Sequence, residues 1–115
     1  MQTRATDEAI SQSTELQELN RVCTSVDLPS GFVFVSKGGL DDQKLSLSYS
    51  YSSDRLFDDS RVIFERYFRE RGWKEDDLSY RYPKQLDFTN TEYRIAINYD
   101  TSGISNYSVY CERLK

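Results

Sequence analysis

Histidine is absent from this chain, so what reactive chemistry it could do must come from carboxylates, lysine, tyrosine or its two cysteines. That absence excludes imidazole acid/base catalysis, Ser-His and Cys-His nucleophile pairs, and most zinc sites. Three acidic clusters remain as metal candidates: Asp41-Asp42, Asp58-Asp59 and Glu75-Asp76-Asp77. A calcium loop alternates oxygen ligands around a glycine and closes on a glutamate, a pattern none of the three shows. Turn and helix-cap roles account for them. A glycosidase-type carboxylate pair is no better defined, because 19 acidic residues form many pairs and nothing singles one out. The expectation is a non-enzyme with no catalytic, cofactor-binding or metal residues.

Cys23 and Cys111 stand near opposite ends of the chain. Cys111 shares its parity with Tyr107 and Val109 on a C-terminal strand, which points it inward, and Cys23 is placed just past a first helix. The pair is compatible with one disulfide or with two buried thiols in a cytosolic protein. The bridge is the preferred reading, since small exported domains gain most from such a staple.

The tyrosines divide by strand parity. Tyr49, Tyr51, Tyr93 and Tyr99 fall on apolar faces and belong to the core or its rim. Tyr110 falls on the face opposite Cys111, beside Ser46, Ser48 and Ser50 if their strands are neighbours. Exposed tyrosine among small polar residues is the composition of an adaptable contact surface, and these four residues are the candidate one. The plain alternative is a wet sheet face with one incidental tyrosine. The glycosylation triplet Asn106-Tyr107-Ser108 arises often by chance and carries no weight.

The elements that must position these residues centre on 45–73. Leu45, Leu47, Tyr49 and Tyr51 alternate with Ser46, Ser48, Ser50 and Ser52, a strand with one face to cover and one to leave wet. A helix follows, with Leu56, Phe57, Ser60, Ile63, Phe64, Tyr67, Phe68 and Arg71 at three- and four-residue spacing. Asp58, Asp59 and Ser60 suit its N-terminus, Glu65 can pair with Arg69, Gly72 reads as a left-handed C-cap and Trp73 as the apolar residue folding back.

Around this unit, Asp7 to Val22 reads as a weaker helix, Phe32 to Ser36 as a strand, and 37–42 as a turn. Leu78 to Tyr82 reads as a strand that Pro83 confines to an edge or a strand end. Phe88 is a lone apolar residue within or beside a short strand, and Tyr93–Tyr99 and Tyr107–Glu112 are strands. The predicted order is α-β-β-α-β-β-β: an α+β domain over 9–115, with a mostly antiparallel five-stranded sheet, helices on one face, and a disordered tail over 1–8. The layout resembles, in pattern alone, small domains of bacterial exported proteins and lipoproteins. It rests on Leu28-Pro29-Ser30-Gly31, Tyr49-Ser-Tyr-Ser52 and Tyr67-Phe-Arg-Glu-Arg-Gly-Trp73, which are structural punctuation and imply no activity.

At 115 residues there is room for one core. The 30% charged residues predict solubility, and no apolar run approaches the roughly 20 residues of a membrane span. A net charge of −4 argues against nucleic acid, whose binders carry a basic stripe; Arg55, Arg61, Arg66, Arg69, Arg71 and Lys74 are interleaved with acids. The sequence therefore predicts a non-enzymatic periplasmic or secreted domain, in mature form without its signal peptide, serving as a binding or accessory module for another protein. The alternative is a cytoplasmic immunity- or inhibitor-type protein covering a basic partner with its acidic surface.

Overall fold

The computed structural model of the chain describes residues 10–38, 45–76, 84–101 and 103–114. Its first bounded helix, α1 (Thr14–Thr24), begins where Ser13 caps it, the Ser13 Oγ accepting from the Leu16 N–H at 3.2 Å. The helix is therefore shorter than the Asp7–Val22 stripe suggested. Leu16, Leu19 and Cys23 form its buried face, so Cys23 sits inside the last turn rather than past it.

Strand β1 (Val33–Gly38) pairs antiparallel with β2 (Ser46–Ser52), interrupted by a bulge between Phe34 and Ser36. In β2, Leu47, Tyr49 and Tyr51 are buried, as period-2 alternation requires.

Helix α2 (Phe57–Glu70) buries Phe57, Ser60, Phe64, Tyr67 and Phe68, while Leu56 and Arg71, at the two ends of the expected stripe, are exposed. Its N-cap is Leu56, without a side-chain cap bond, so Asp58 and Asp59 serve the helix dipole from within the first turn. The other end closes as the sequence predicts. Gly72 has φ +79°, its N–H donates to the Arg69 carbonyl at 3.1 Å, and the Trp73 N–H donates to the Phe68 carbonyl at 3.0 Å. The Trp73 ring then meets Phe68 edge-on at 5.1 Å, the contact that completes this kind of cap. Glu65 pairs with Arg61 on the preceding turn, at 3.2 Å, and not with Arg69.

The C-terminal half corrects the expected strand count. After α2 come β3 (Lys74–Asp76), β4 (Gln85–Thr89), β5 (Tyr93–Tyr99) and β6 (Tyr107–Arg113). The sheet has six strands, not five, in the order β1-β2-β6-β5-β4-β3, every neighbouring pair antiparallel. The edge is β3. The predicted Leu78–Tyr82 strand, the turn residues Asp41 and Asp42, Asp77 and the 1–8 tail lie outside the described residues. Phe88 proves to belong to a full strand, where it and Leu86 face the core.

Both helices pack on the face formed by Leu47, Tyr49 and Tyr51 of β2, Tyr107, Val109 and Cys111 of β6, Ile95 and Ile97 of β5, and Leu86 and Phe88 of β4. Phe68 of α2 stacks on Phe88 at 4.1 Å. Phe32, just before β1, packs against Tyr107 at 4.5 Å. Three phenol hydroxyls reach out of this core to fix other elements: Tyr49 donates to Asn20 Oδ1 of α1, Tyr67 donates to the Ser25 carbonyl at 2.8 Å, and Tyr107 donates to the Arg55 carbonyl at 2.8 Å.

The structure places Cys23 and Cys111 at disulfide-bonding distance, their Cα atoms 5.9 Å apart across 88 residues of sequence. A link over so long a loop removes much of the unfolded chain's freedom, by about 4–5 kcal/mol in the chain-entropy model. Urea unfolding of the oxidised chain against the reduced and alkylated chain should show a loss of roughly that size; a shift under about 1 kcal/mol would mean that core packing, not the bridge, holds α1.

Candidate functional site

The wet face of the sheet brings together residues that are far apart in sequence. Pairing of β2 with β6 sets Ser46 opposite Glu112, Ser48 opposite Tyr110 and Ser50 opposite Ser108. Pairing of β6 with β5 continues these rows to Arg94, Ala96 and Asn98. Ser48, Ser50 and Tyr110 are partly exposed, whereas Ser46 is only 2% exposed and is not available to a partner.

Three charged residues that sequence reasoning missed form the centre of this face. Arg94 Nε lies 3.0 Å from both carboxylate oxygens of Asp87, its Nη2 is 2.5 Å from one of them, and its Nη1 is 3.6 Å from Glu112. The Tyr110 hydroxyl donates to Glu112 at 3.3 Å. Asp87 and Ala96 are each 3% exposed although they face away from the helices. Arg94 leans diagonally to Asp87, its guanidinium 5.9 Å from the Tyr110 ring, so the two long side chains roof the two short ones. The hydrogen bonds Arg94 donates to Asp87 hold it more firmly protonated than a free guanidinium. One guanidinium faces two carboxylates, and with Tyr110 these side chains form a hydrogen-bonded layer across β4, β5 and β6.

The described members of the acidic clusters do not converge. Asp58 and Asp59 lie in the first turn of α2 and Asp76 at the end of β3. Among the described residues no group of three potential metal-ligating side chains occurs. The Asn106 amide is engaged in both directions with Ser53, accepting from its N–H at 2.9 Å and donating to its carbonyl at 2.7 Å.

What stands open is the β1 edge. Val33, Phe34 and Val35 are 61%, 48% and 41% exposed in succession on the terminal strand. Val33 also lines a shallow cleft of about 370 Å³ with Ser52, Asp54, Thr101, Asn106 and Ile104, the last 91% exposed. The signal for this surface was present in the sequence: Phe32-Val-Phe-Val carries apolar residues on both parities, and a terminal strand cannot cover both faces and its edge.

The class of protein that this geometry defines is an α+β domain with α1 and α2 on one face of a six-stranded antiparallel sheet. No protein-family model, curated protein or solved structure matches the chain.

Arg94→Met keeps the stem of the side chain but strands the buried Asp87 carboxylate, and should cost about 3 kcal/mol, the low end for a buried pair because Arg94 is partly exposed. The double variant Asp87→Val/Arg94→Met should cost less than half as much in the same urea unfolding experiment. An equal or greater loss in the double variant would show the pair itself, not the stranded charge, to be what stabilises.

Tyr107 carries a second prediction. Burial raises its phenol above the ordinary value of 10.0, although the hydrogen bond from Ser60 works the other way. The group must keep its proton to donate to the Arg55 carbonyl. With the folded value raised, its contribution is complete below pH 10 and is lost as pH climbs through the folded value, because only the unfolded chain ionises freely there. Tyr107→Phe should cost about 1 kcal/mol at neutral pH and flatten the alkaline fall in stability. An unchanged alkaline slope in thermal melts would remove Tyr107 as its source.

Proposed function

We propose that this chain is a non-enzymatic exported domain acting as a binding module for another protein, and that it binds through the β1 edge. The observation that carries this reading is the exposed apolar run Val33-Phe34-Val35 on a terminal strand, continuous through a cleft with Ile104. Natural sheets blunt their edges with short strands, charge or bulges. The opposite edge, β3, obeys that rule with three exposed charged residues, Lys74-Glu75-Asp76. On β1 only the bulge and Lys37 temper a six-residue strand. An extended segment of a partner adds to such an edge through main-chain hydrogen bonds, its alternate side chains meeting the exposed apolar residues.

The partner segment would carry apolar and basic residues, since Asp54 is the charged residue among the described lining of the cleft and the chain as a whole is acidic at −4. The Cys23–Cys111 pair supports export, because disulfides persist in oxidising compartments. Among the described residues no helix is long and apolar enough to cross a membrane.

Two measurements test this reading. A photo-crosslinking residue at Val33 in the native host should yield a discrete protein adduct that the same residue at Arg66, on the exposed side of α2, does not. No adduct at position 33, or the same adducts at both positions, would reject the edge as the interface. Intact mass with and without reduction should reveal two alkylatable thiols only after reduction; two free thiols in the native chain would reject export and favour a cytoplasmic partner.

A further inference from the structure

A second opening lies on the helix side of the sheet, away from β1. A cleft of about 430 Å³ is walled by Val22 and Val26 from α1 and the turn after it, by Phe68 and Trp73 from the end of α2, and by Tyr93 and Ile95 from β5. Its size and apolar lining fall within the range of small-molecule sites. Arg71 stands at this cleft and is its one charged residue among the described lining.

The guanidinium of Arg71 is held in place. It lies 3.7 Å over the Tyr67 ring, and its Nη1 donates to the Tyr67 carbonyl at 3.1 Å. Arg21, Arg61, Arg94 and Arg113 each face a carboxylate, whereas among the described residues Arg71 faces none. Its remaining N–H donors are therefore fixed and free to meet an anion. Asn90, also at the cleft, uses its Oδ1 to accept from the Glu92 and Tyr93 N–H groups at 2.8 and 2.7 Å, which fixes the amide and leaves its Nδ2 donors uncommitted. At the end of α2 the Phe68 and Arg69 carbonyls are capped by the Trp73 and Gly72 N–H groups, which lessens their repulsion of an anion.

We propose that this cleft binds a small apolar monocarboxylate, its hydrocarbon part against Phe68, Trp73 and Tyr93 and its carboxylate on Arg71. The aromatic and aliphatic walls supply the affinity, and the preset arginine supplies the preference for the acid over a neutral analogue. This site is separate from the β1 edge, and its success or failure leaves that reading untouched.

Trp73 is the only tryptophan of the chain and forms part of the cleft wall, so its emission reports on occupancy. Octanoate, kept below its micellar concentration, should change Trp73 fluorescence saturably in the oxidised full-length chain. Binding should be about tenfold tighter than for 1-octanol, the margin of one charge-assisted contact. Arg71→Gln should erase that preference, binding the acid no better than the alcohol, with an unchanged circular dichroism spectrum. Val22→Phe, which fills the cleft from the α1 side without touching its charge, should weaken both ligands about tenfold by occupying the volume. No saturable change in the wild-type chain, a preference for octanoate that survives Arg71→Gln, or wild-type affinity in a folded Val22→Phe chain would each overturn the proposal.

Discussion

The last strand is inserted between two units that local contacts alone would leave apart. β1 and β2 form one hairpin, and β3 to β6 form a meander of sequence neighbours; the β2–β6 ladder is the one pairing among the described strands that joins them. A two-stranded hairpin is marginal by itself in water, so the N-terminal half depends on β6 for its stability. The same strand anchors the helices. Tyr107 reaches Ser60 of α2 and the carbonyl of Arg55, Cys111 meets Cys23 of α1, and Arg113 pairs with Glu15 of α1 at 3.2 Å. Alternation puts all of these inward-facing residues on one side of a single strand, and each holds something different.

The two faces of the sheet solve the burial of polar groups in different ways. On the helix side, aromatic rings fill the small core while the hydroxyls of Tyr49, Tyr67 and Tyr107 extend to its rim, where the Asn20 side chain of α1, the end of that helix and a loop offer acceptors. Phenylalanine would fill the same space but leave those partners unfastened. On the other side no helix covers the sheet, and Asp87 is shielded by Arg94 and Tyr110 instead. A charge at 3% exposure is tolerable there because Arg94 grips both of its carboxylate oxygens and stays partly in water, so only one member of the pair loses most of its solvation. Among the described residues no buried side-chain nitrogen or oxygen lacks a partner.

What could be read in the sequence was what is encoded locally. Leu45 to Ser52 and Tyr93 to Tyr99 declare their faces by alternation, and Arg71-Gly72-Trp73 declares a helix end by backbone freedom followed by an apolar residue. β4 was obscure because Asp87 interrupts an otherwise short apolar signal; its burial depends on Arg94, seven residues on and one strand over. β3 has no apolar residue at all and exists only because β4 pairs with it. The serine-tyrosine face of the sheet was half legible for the same reason. Parity places Ser46, Ser48, Ser50 and Tyr110 on a wet face, but Ser46 is buried, and its place opposite Glu112 is supplied only by the strand order. Val33 to Val35 read as strand residues from the sequence, yet their exposure depends on β1 being terminal.

The strand order also separates the two openings in what they depend on. The β1 edge is shaped by its ladder to β2 and by the bulge at Val35, none of which involves α1. The helix-side cleft takes one wall from Val22, the residue beside Cys23, and another from the end of α2, which Tyr67 ties to Ser25 just past α1. Loosening α1 would widen the cleft while leaving the edge strand in register. A Cys23–Cys111 bond thus constrains the cleft far more than the edge. The geometry around Arg71 answers to the Cys23–Cys111 pair, and the surface offered by Val33 and Phe34 to the sheet.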